Sequence, residues 1–97
     1  MKEGKPVLVI RWAEEATVDF VEILDYIEQR DPSAASRLHE DIVQTVERLG
    51  FMPFLYRPGR VPGTREVVVR PNFLIVYQVG DGVIDVLRIL HARRQYP

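Results

Sequence analysis

Between Ala13 and Gly50 the chain carries two amphipathic helical stripes with a capped break between them, and this pattern narrows the possible folds more than any other feature. In "AEEATVDFVEILDYIEQR" the apolar residues Ala13, Ala16, Phe20, Ile23, Leu24 and Ile27 recur at three- and four-residue steps, the spacing of one helix face. Glu14, Glu15, Asp19, Glu22, Asp25 and Glu28 fill the other side, and the acidic pair in the first turn suits the positive end of the helix dipole. "DPSAASRLHEDIVQTVERLG" then opens with Asp31 placed as an N-cap and Pro32 at the first helical position, where a missing N–H is no loss. Ala35, Leu38, Ile42, Val46 and Leu49 form the second stripe, and Gly50 stands as its stop. Two such helices joined at "RDPS" predict an antiparallel helical hairpin.

On either side of the hairpin the pattern turns to β. "VLVIRW" (Val7–Trp12) reads as a first strand. "FMPFLYRPGRVPG" (Phe51–Gly63), with three prolines and two glycines, reads as a loop whose aromatics pack down. "TREVVVR", "FLIVYQV" and "VIDVLRILH" follow, separated by short turns at Pro71–Asn72 and Gly80–Asp81–Gly82, and predict an antiparallel meander. The expected fold is α+β in the order β-α-α-β-β-β, an antiparallel sheet with the helical hairpin packed on one face, forming a single domain over residues 1–97. In the last strand, strict alternation places Val83, Leu87 and Ile89 on one side and Ile84, Val86 and Leu90 on the other. A strand apolar on both faces is normally covered on both. The hairpin covers one, so the second face is expected to await a partner or to lie beneath the 51–63 loop.

Composition excludes several kinds of chemistry. The chain has 97 residues and no cysteine, so disulfides, thiolate nucleophiles and cysteine metal sites are ruled out. That fits a reducing compartment, and a cytoplasmic location is expected. The opening "MKEGKPVLVI" has only a four-residue apolar run before Arg11, far short of a signal sequence, and no window approaches a membrane span. The net charge of −1 hides an asymmetry: residues 1–56 hold 6 Lys/Arg against 11 Asp/Glu, and residues 57–97 hold 7 arginines against 3 Asp/Glu. Arginine's planar fork suits carboxylates, phosphates and base edges, so the second part is expected to face an anionic partner. The plainer alternative is a set of arginines on exposed strand edges.

No metal or cofactor is expected. His39 and His91 lie on different elements, and His39 sits on a solvated helix side with Arg37, Glu40 and Asp41. "PGRVPGT" has neither the lysine nor the following helix of a phosphate loop. Hydrogen-bonding and proton-transferring groups concentrate instead in "VLRILHARRQYP". RNA cleavage through the 2′-hydroxyl needs a base, cations for the phosphorane and an acid for the leaving oxygen. His91 can serve as base, Arg65, Arg93 or Arg94 as cations, and Tyr96 as a ring that stacks on a nucleobase. The same residues equally describe a docking surface for a macromolecule, or the solvated tail of a last strand.

Three stretches together, "ATVDFVEILDYIEQRDPSAASRL", "RPGRVPGTREVVV" and "FLIVYQVGDGVIDVLRILHARRQYP", resemble the RelE/ParE toxins of bacterial type II toxin–antitoxin pairs over nearly the whole chain after Val7. The resemblance implies the fold derived above and an antitoxin that wraps the helices and sheet, here with carboxylates meeting Arg57, Arg60, Arg65 or Arg70. It also implies one of two targets. RelE-like members cleave mRNA in the ribosome and carry an arginine at the head of the third strand, in a "YR(L/V)(I/V)Y" pattern. Here the matching "PNFLIVY" has Phe73 and Leu74 at that place. Arg93 matches the family's arginine after the last strand, so a nuclease set would comprise Arg65, His91, Arg93 and Tyr96. ParE-like members resemble the "VLRILHARR" ending and need no such set. For them the resemblance implies binding to DNA gyrase, trapping of its cleaved complex and growth inhibition, with Arg88, His91, Arg93, Arg94 and Tyr96 as the docking surface. The missing arginine favours the ParE-like reading, with the ribosome-dependent mRNA endoribonuclease as the alternative. A third reading is a family member that only binds its antitoxin.

Overall fold

A computed structural model describes residues 7–93. Its elements are β1 (Val9–Trp12), α1 (Glu14–Glu28), α2 (Pro32–Leu49), β2 (Arg57–Pro58), β3 (Arg65–Val69), β4 (Phe73–Val79) and β5 (Val83–His91). The hairpin forms as its caps predict: the Asp31 carboxylate accepts the Ala34 N–H at 3.1 Å, with Pro32 in the first turn. Gly50 ends α2 for a different reason from the one expected. Its φ of −64° is ordinary right-handed backbone rather than a left-handed stop. What it supplies is closeness: its carbonyl accepts the Leu8 N–H at 3.0 Å, and a Cβ there would press on the Leu8 carbonyl and a Val7 methyl at 3.2 Å.

The three consecutive strands β3, β4 and β5 make the expected antiparallel meander, with Gly82 taking the positive φ of 73° that the β4–β5 turn requires. Two pairings extend it. β2, a two-residue strand inside the segment read as a loop, pairs antiparallel with β3. β1 joins the opposite edge parallel to β5, from Val9–Val83 to Trp12–Val86, so the five-stranded sheet is mixed, in the order β1-β5-β4-β3-β2. The parallel pair arises because the chain leaves β1 through the helical hairpin and returns to the same edge only with its last strand.

Strict alternation fails in β5. Val76 pairs with Arg88 but its neighbour Tyr77 pairs with Val86, so Leu87 is the extra residue of a β-bulge. The bulge lets Ile84, Val86 and Ile89 all face the helices, in one core with Ile42, Leu49, Ile75 and Tyr77. Leu87 and Leu90 face the other way, with Leu74 and Val76. Leu74, Val76 and Leu90 are 2%, 0% and 2% exposed, so this face is buried around β4, and the 51–63 segment reaches it through Arg57 and Arg60, which meet Glu66 opposite Val76. That segment also turns toward the helix side, where Tyr56 packs on the main core and the Tyr77 hydroxyl donates to the Pro53 carbonyl at 2.7 Å.

Candidate functional site: the end of the last strand and the arginine edge

His91 is exposed at the end of β5. Its Nδ1 accepts the Arg93 N–H at 3.2 Å, and its ring stands edge-on to Phe73 with centroids 5.6 Å apart. Arg93 is exposed beside it; Arg94 and Tyr96 lie outside the described residues. Arg65 is not part of this group. It pairs with Tyr77 at one end of β4, whereas His91 pairs with Phe73 at the other. Four residues of strand separate the two positions, about 13 Å at the usual rise per residue.

Arg88, one strand position before the core residue Ile89, turns out to be part of the scaffold. Its guanidinium donates twice to Asp19 of α1, at 2.7 and 3.0 Å, and the same carboxylate accepts the Ile89 N–H at 3.0 Å. The reason is topological. The β1–β5 ladder stops at Trp12–Val86, α1 begins at once, and Asp19 satisfies the β5 edge where the strand neighbour has ended. The expectation that Asp19 belongs to the solvated side of α1 is corrected: it is 9% exposed. Its spacing held the signal, three residues after Ala16 and four before Ile23, on the edge of the apolar stripe.

The arginine edge is likewise tied inward. Glu66, 2% exposed, accepts from the Arg57 guanidinium at 3.3 Å and from the Arg60 backbone N–H at 3.0 Å, with Arg60 Nε at 3.7 Å. Arg65 donates to the Tyr56 carbonyl at 2.8 Å and lies over the Phe54 ring at 4.9 Å. These contacts hold the 51–63 segment against β3. Arg70, exposed after β3, borders a groove of about 310 Å³ with Asp41, Thr45 and Arg48 of α2, and its guanidinium has no partner among the described residues.

Other groups were invisible to sequence reading. His39, on the outer side of α2, stacks on Phe20 at 5.5 Å, and Phe20 stacks on Trp12 at 5.4 Å, so one row of rings links β1, α1 and α2. On the sheet face turned away from the helices Arg11 donates to Asp85 at 2.9 and 3.2 Å. That hydrogen bond holds the Asp85 carboxyl below its usual range and raises the Arg11 guanidinium. Phe51, Met52, Phe54 and Leu55 form an exposed apolar run. The described residues contain no cluster of three His, Asp or Glu able to hold a metal, and no helix long and apolar enough to cross a membrane.

A helical hairpin on a mixed five-stranded sheet, with an arginine edge and a basic last-strand ending, defines a RelE/ParE-type toxin. The family model for the ParE toxin of type II toxin–antitoxin systems matches residues 10–96, and the chain belongs to this family. It is similar to the protein Y4kP of Sinorhizobium fredii, 38% identical over 91% of this chain and 92% of that one. It is also similar to toxin RelE2 of Caulobacter vibrioides, 36% identical over 86% of this chain and 93% of that one. Among solved structures, the chromosomal ParDE system of P. aeruginosa superposes with a TM-score of 0.81 at 26% identity, covering 92% of this chain and all of that one.

Proposed function

We propose that this toxin inhibits growth by binding and poisoning DNA gyrase, without catalysis of its own, and that a cognate antitoxin neutralises it. The observation that carries this reading is the sheet face turned away from the helices, around β4. At the place of the nuclease arginine, Leu74 joins Val76, Leu87 and Leu90 in an apolar cluster, and the carboxylate opposite Val76, Glu66, is 2% exposed and already bonded to Arg57 and Arg60. Phe73, the other residue at the head of that strand, is committed to the helix-side core. The separation of Arg65 from His91 along β4 supports the same reading, because a phosphorane needs its base and cations on one atom set. A net charge of −1 is also poorly suited to ribosomal RNA.

In this reading His91, Arg93, Arg94 and Tyr96 form the target contact, and Arg88 acts on it only through the position of β5. For the antitoxin, Arg70 is the arginine whose guanidinium is best placed to receive a partner's carboxylate. Arg57, Arg60 and Arg65 join it through whatever donors their internal contacts leave over.

The alternative is a ribosome-dependent mRNA endoribonuclease, favoured by the adjacency of His91 and Arg93 and by the 36% identity to toxin RelE2. The deciding experiment incubates purified protein with gyrase and plasmid, and in parallel with translating ribosomes. Inhibited supercoiling with accumulation of cleaved DNA supports the proposal. Codon-spaced mRNA cleavage with gyrase unaffected overturns it, and its loss in His91→Ala with Arg93→Ala would then place the nuclease site.

A further inference from the structure

Past Val86 the outer edge of β5 has no strand beside it among the described residues, and α1 crosses there instead. Beyond the Asp19–Ile89 hydrogen bond, α1 and the end of the sheet draw apart and leave a cleft of about 490 Å³. One wall is a stripe of α1 on successive turns, Glu22 and Ile23, then Tyr26 and Ile27; the other is formed by Phe73 and His91. Ile23, Ile27 and Phe73 also touch the main core, so the floor is apolar and anchored. The mouth is different. Tyr26 is 61% exposed, and Glu22 is exposed with no ion pair among the described residues, whereas Asp19 is already used by Arg88 and Ile89.

The geometry points to this cleft as the seat for an apolar side chain of the cognate antitoxin, carried on a segment with a lysine or arginine close to that anchor. The inference rests on the reading that an antitoxin pairs with this toxin. The floor gives the first half: it can only be filled with gain by an aliphatic or aromatic group. The rim gives the second. One cation stands at the rim, Arg30, whose guanidinium lies over the Tyr26 ring at 3.9 Å and donates to the Tyr26 carbonyl at 3.1 Å. Against it α1 shows solvent the carboxylates of Glu22, Asp25 and Glu28, and further along those of Glu14 and Glu15. A segment carrying carboxylates of its own is repelled there, and a cation is drawn in. Val18 and Val21, exposed on the same helix, continue the apolar surface away from the mouth. The antitoxin is therefore required to be bipolar: acidic where it meets Arg70, basic beside the residue that enters this cleft.

The test uses the full chain and, as the probe, the product of any small open reading frame found to adjoin its gene. Affinity is measured by calorimetry at low and moderate salt for the unaltered chain, Glu22→Lys and Tyr26→Ala; both positions are exposed, and thermal melts confirm folding. Each substitution is expected to weaken the complex by about tenfold or more. Glu22→Lys is also expected to flatten the salt dependence. A photoreactive phenylalanine at position 26 is expected to crosslink to an antitoxin segment holding both an apolar and a basic residue. A tight complex indifferent to both substitutions overturns the seat alone, as does a crosslink that falls on residues 94–97 of the same chain or on gyrase. If the unaltered chain forms no complex, the antitoxin reading fails and the seat fails with it.

Discussion

Asp19 and Arg88, 69 residues apart in sequence, meet through two hydrogen bonds of 2.7 and 3.0 Å, and the same carboxylate takes the backbone N–H of Ile89. One side chain thereby replaces the strand that β5 lacks after β1 ends. It also ties α1 to the sheet at the border of the cleft, which Asp19 itself helps to line.

Removing either partner should therefore cost unequal amounts. Asp19→Ala leaves a half-buried guanidinium and an edge N–H without their acceptor, for an expected loss of about 2–3 kcal/mol. Arg88→Met leaves Asp19 still bonded to Ile89 and should cost about 1–2 kcal/mol. Urea unfolding of the two single variants and the double variant measures both losses and their coupling.

Tyr77 sets an alkaline limit. Burial pushes its hydroxyl from 10.0 up to about 12. Between those values the unfolded chain gives up the proton and the folded chain keeps it, so stability should fall as pH rises from about 10 to 12. Tyr77→Phe removes that slope and, by losing the bond to the Pro53 carbonyl, costs about 1 kcal/mol at neutral pH. Chemical denaturation across this alkaline range reads both effects.

Restoring the arginine of the nuclease pattern should not restore a nuclease. Leu74→Arg places a guanidinium in a position 2% exposed among Val76, Leu87 and Leu90, on a face whose carboxylate Glu66 is already bonded to Arg57 and Arg60. The expected result is a loss of about 3 kcal/mol or more and no mRNA cleavage. A stable, cleaving variant would contradict the account of this face.

The arginine edge separates folding from recognition. Arg60→Glu with Arg65→Glu should lower the melting temperature as well as antitoxin binding, because it sets a carboxylate against Glu66 and removes the donor to Tyr56. Glu66→Gln should speed amide exchange at Arg60, whose N–H it accepts. Arg70→Glu should weaken the complex and leave the melting temperature unchanged. Hydrogen exchange, thermal melts and calorimetry on the same samples distinguish the three.

The parts of the fold that sequence made readable are those governed by neighbours in the chain. Asp31 and Pro32 announce α2 because capping acts within three residues, and the Gly80–Asp81–Gly82 turn announces the β4–β5 hairpin for the same reason. The extra residue Leu87 was hidden, since a bulge depends on how two strands meet rather than on either alone. Gly50 reads as a conformational stop, but its use is the approach of the β1 segment, a contact made with residues some forty positions earlier. For the candidate site, His91 and Arg93 were adjacent on paper and remain so. Residue type groups Arg65 and Arg88 with them, whereas the structure sets one at the far end of β4 and binds the other to a helix.

The parallel pair has a bearing on how the protein comes into being. Arg11 and Asp85, partners across it, are 74 residues apart. The helical hairpin and the meander can each form from contacts close in sequence, but β1 must remain unpaired until β5 has left the ribosome. The row of rings from Trp12 through Phe20 to His39 and the Asp19 bridge both assemble around that last closure. A nascent chain is thus without its completed sheet edge, and without the Asp19 bridge to Ile89, until β5 is free to pair.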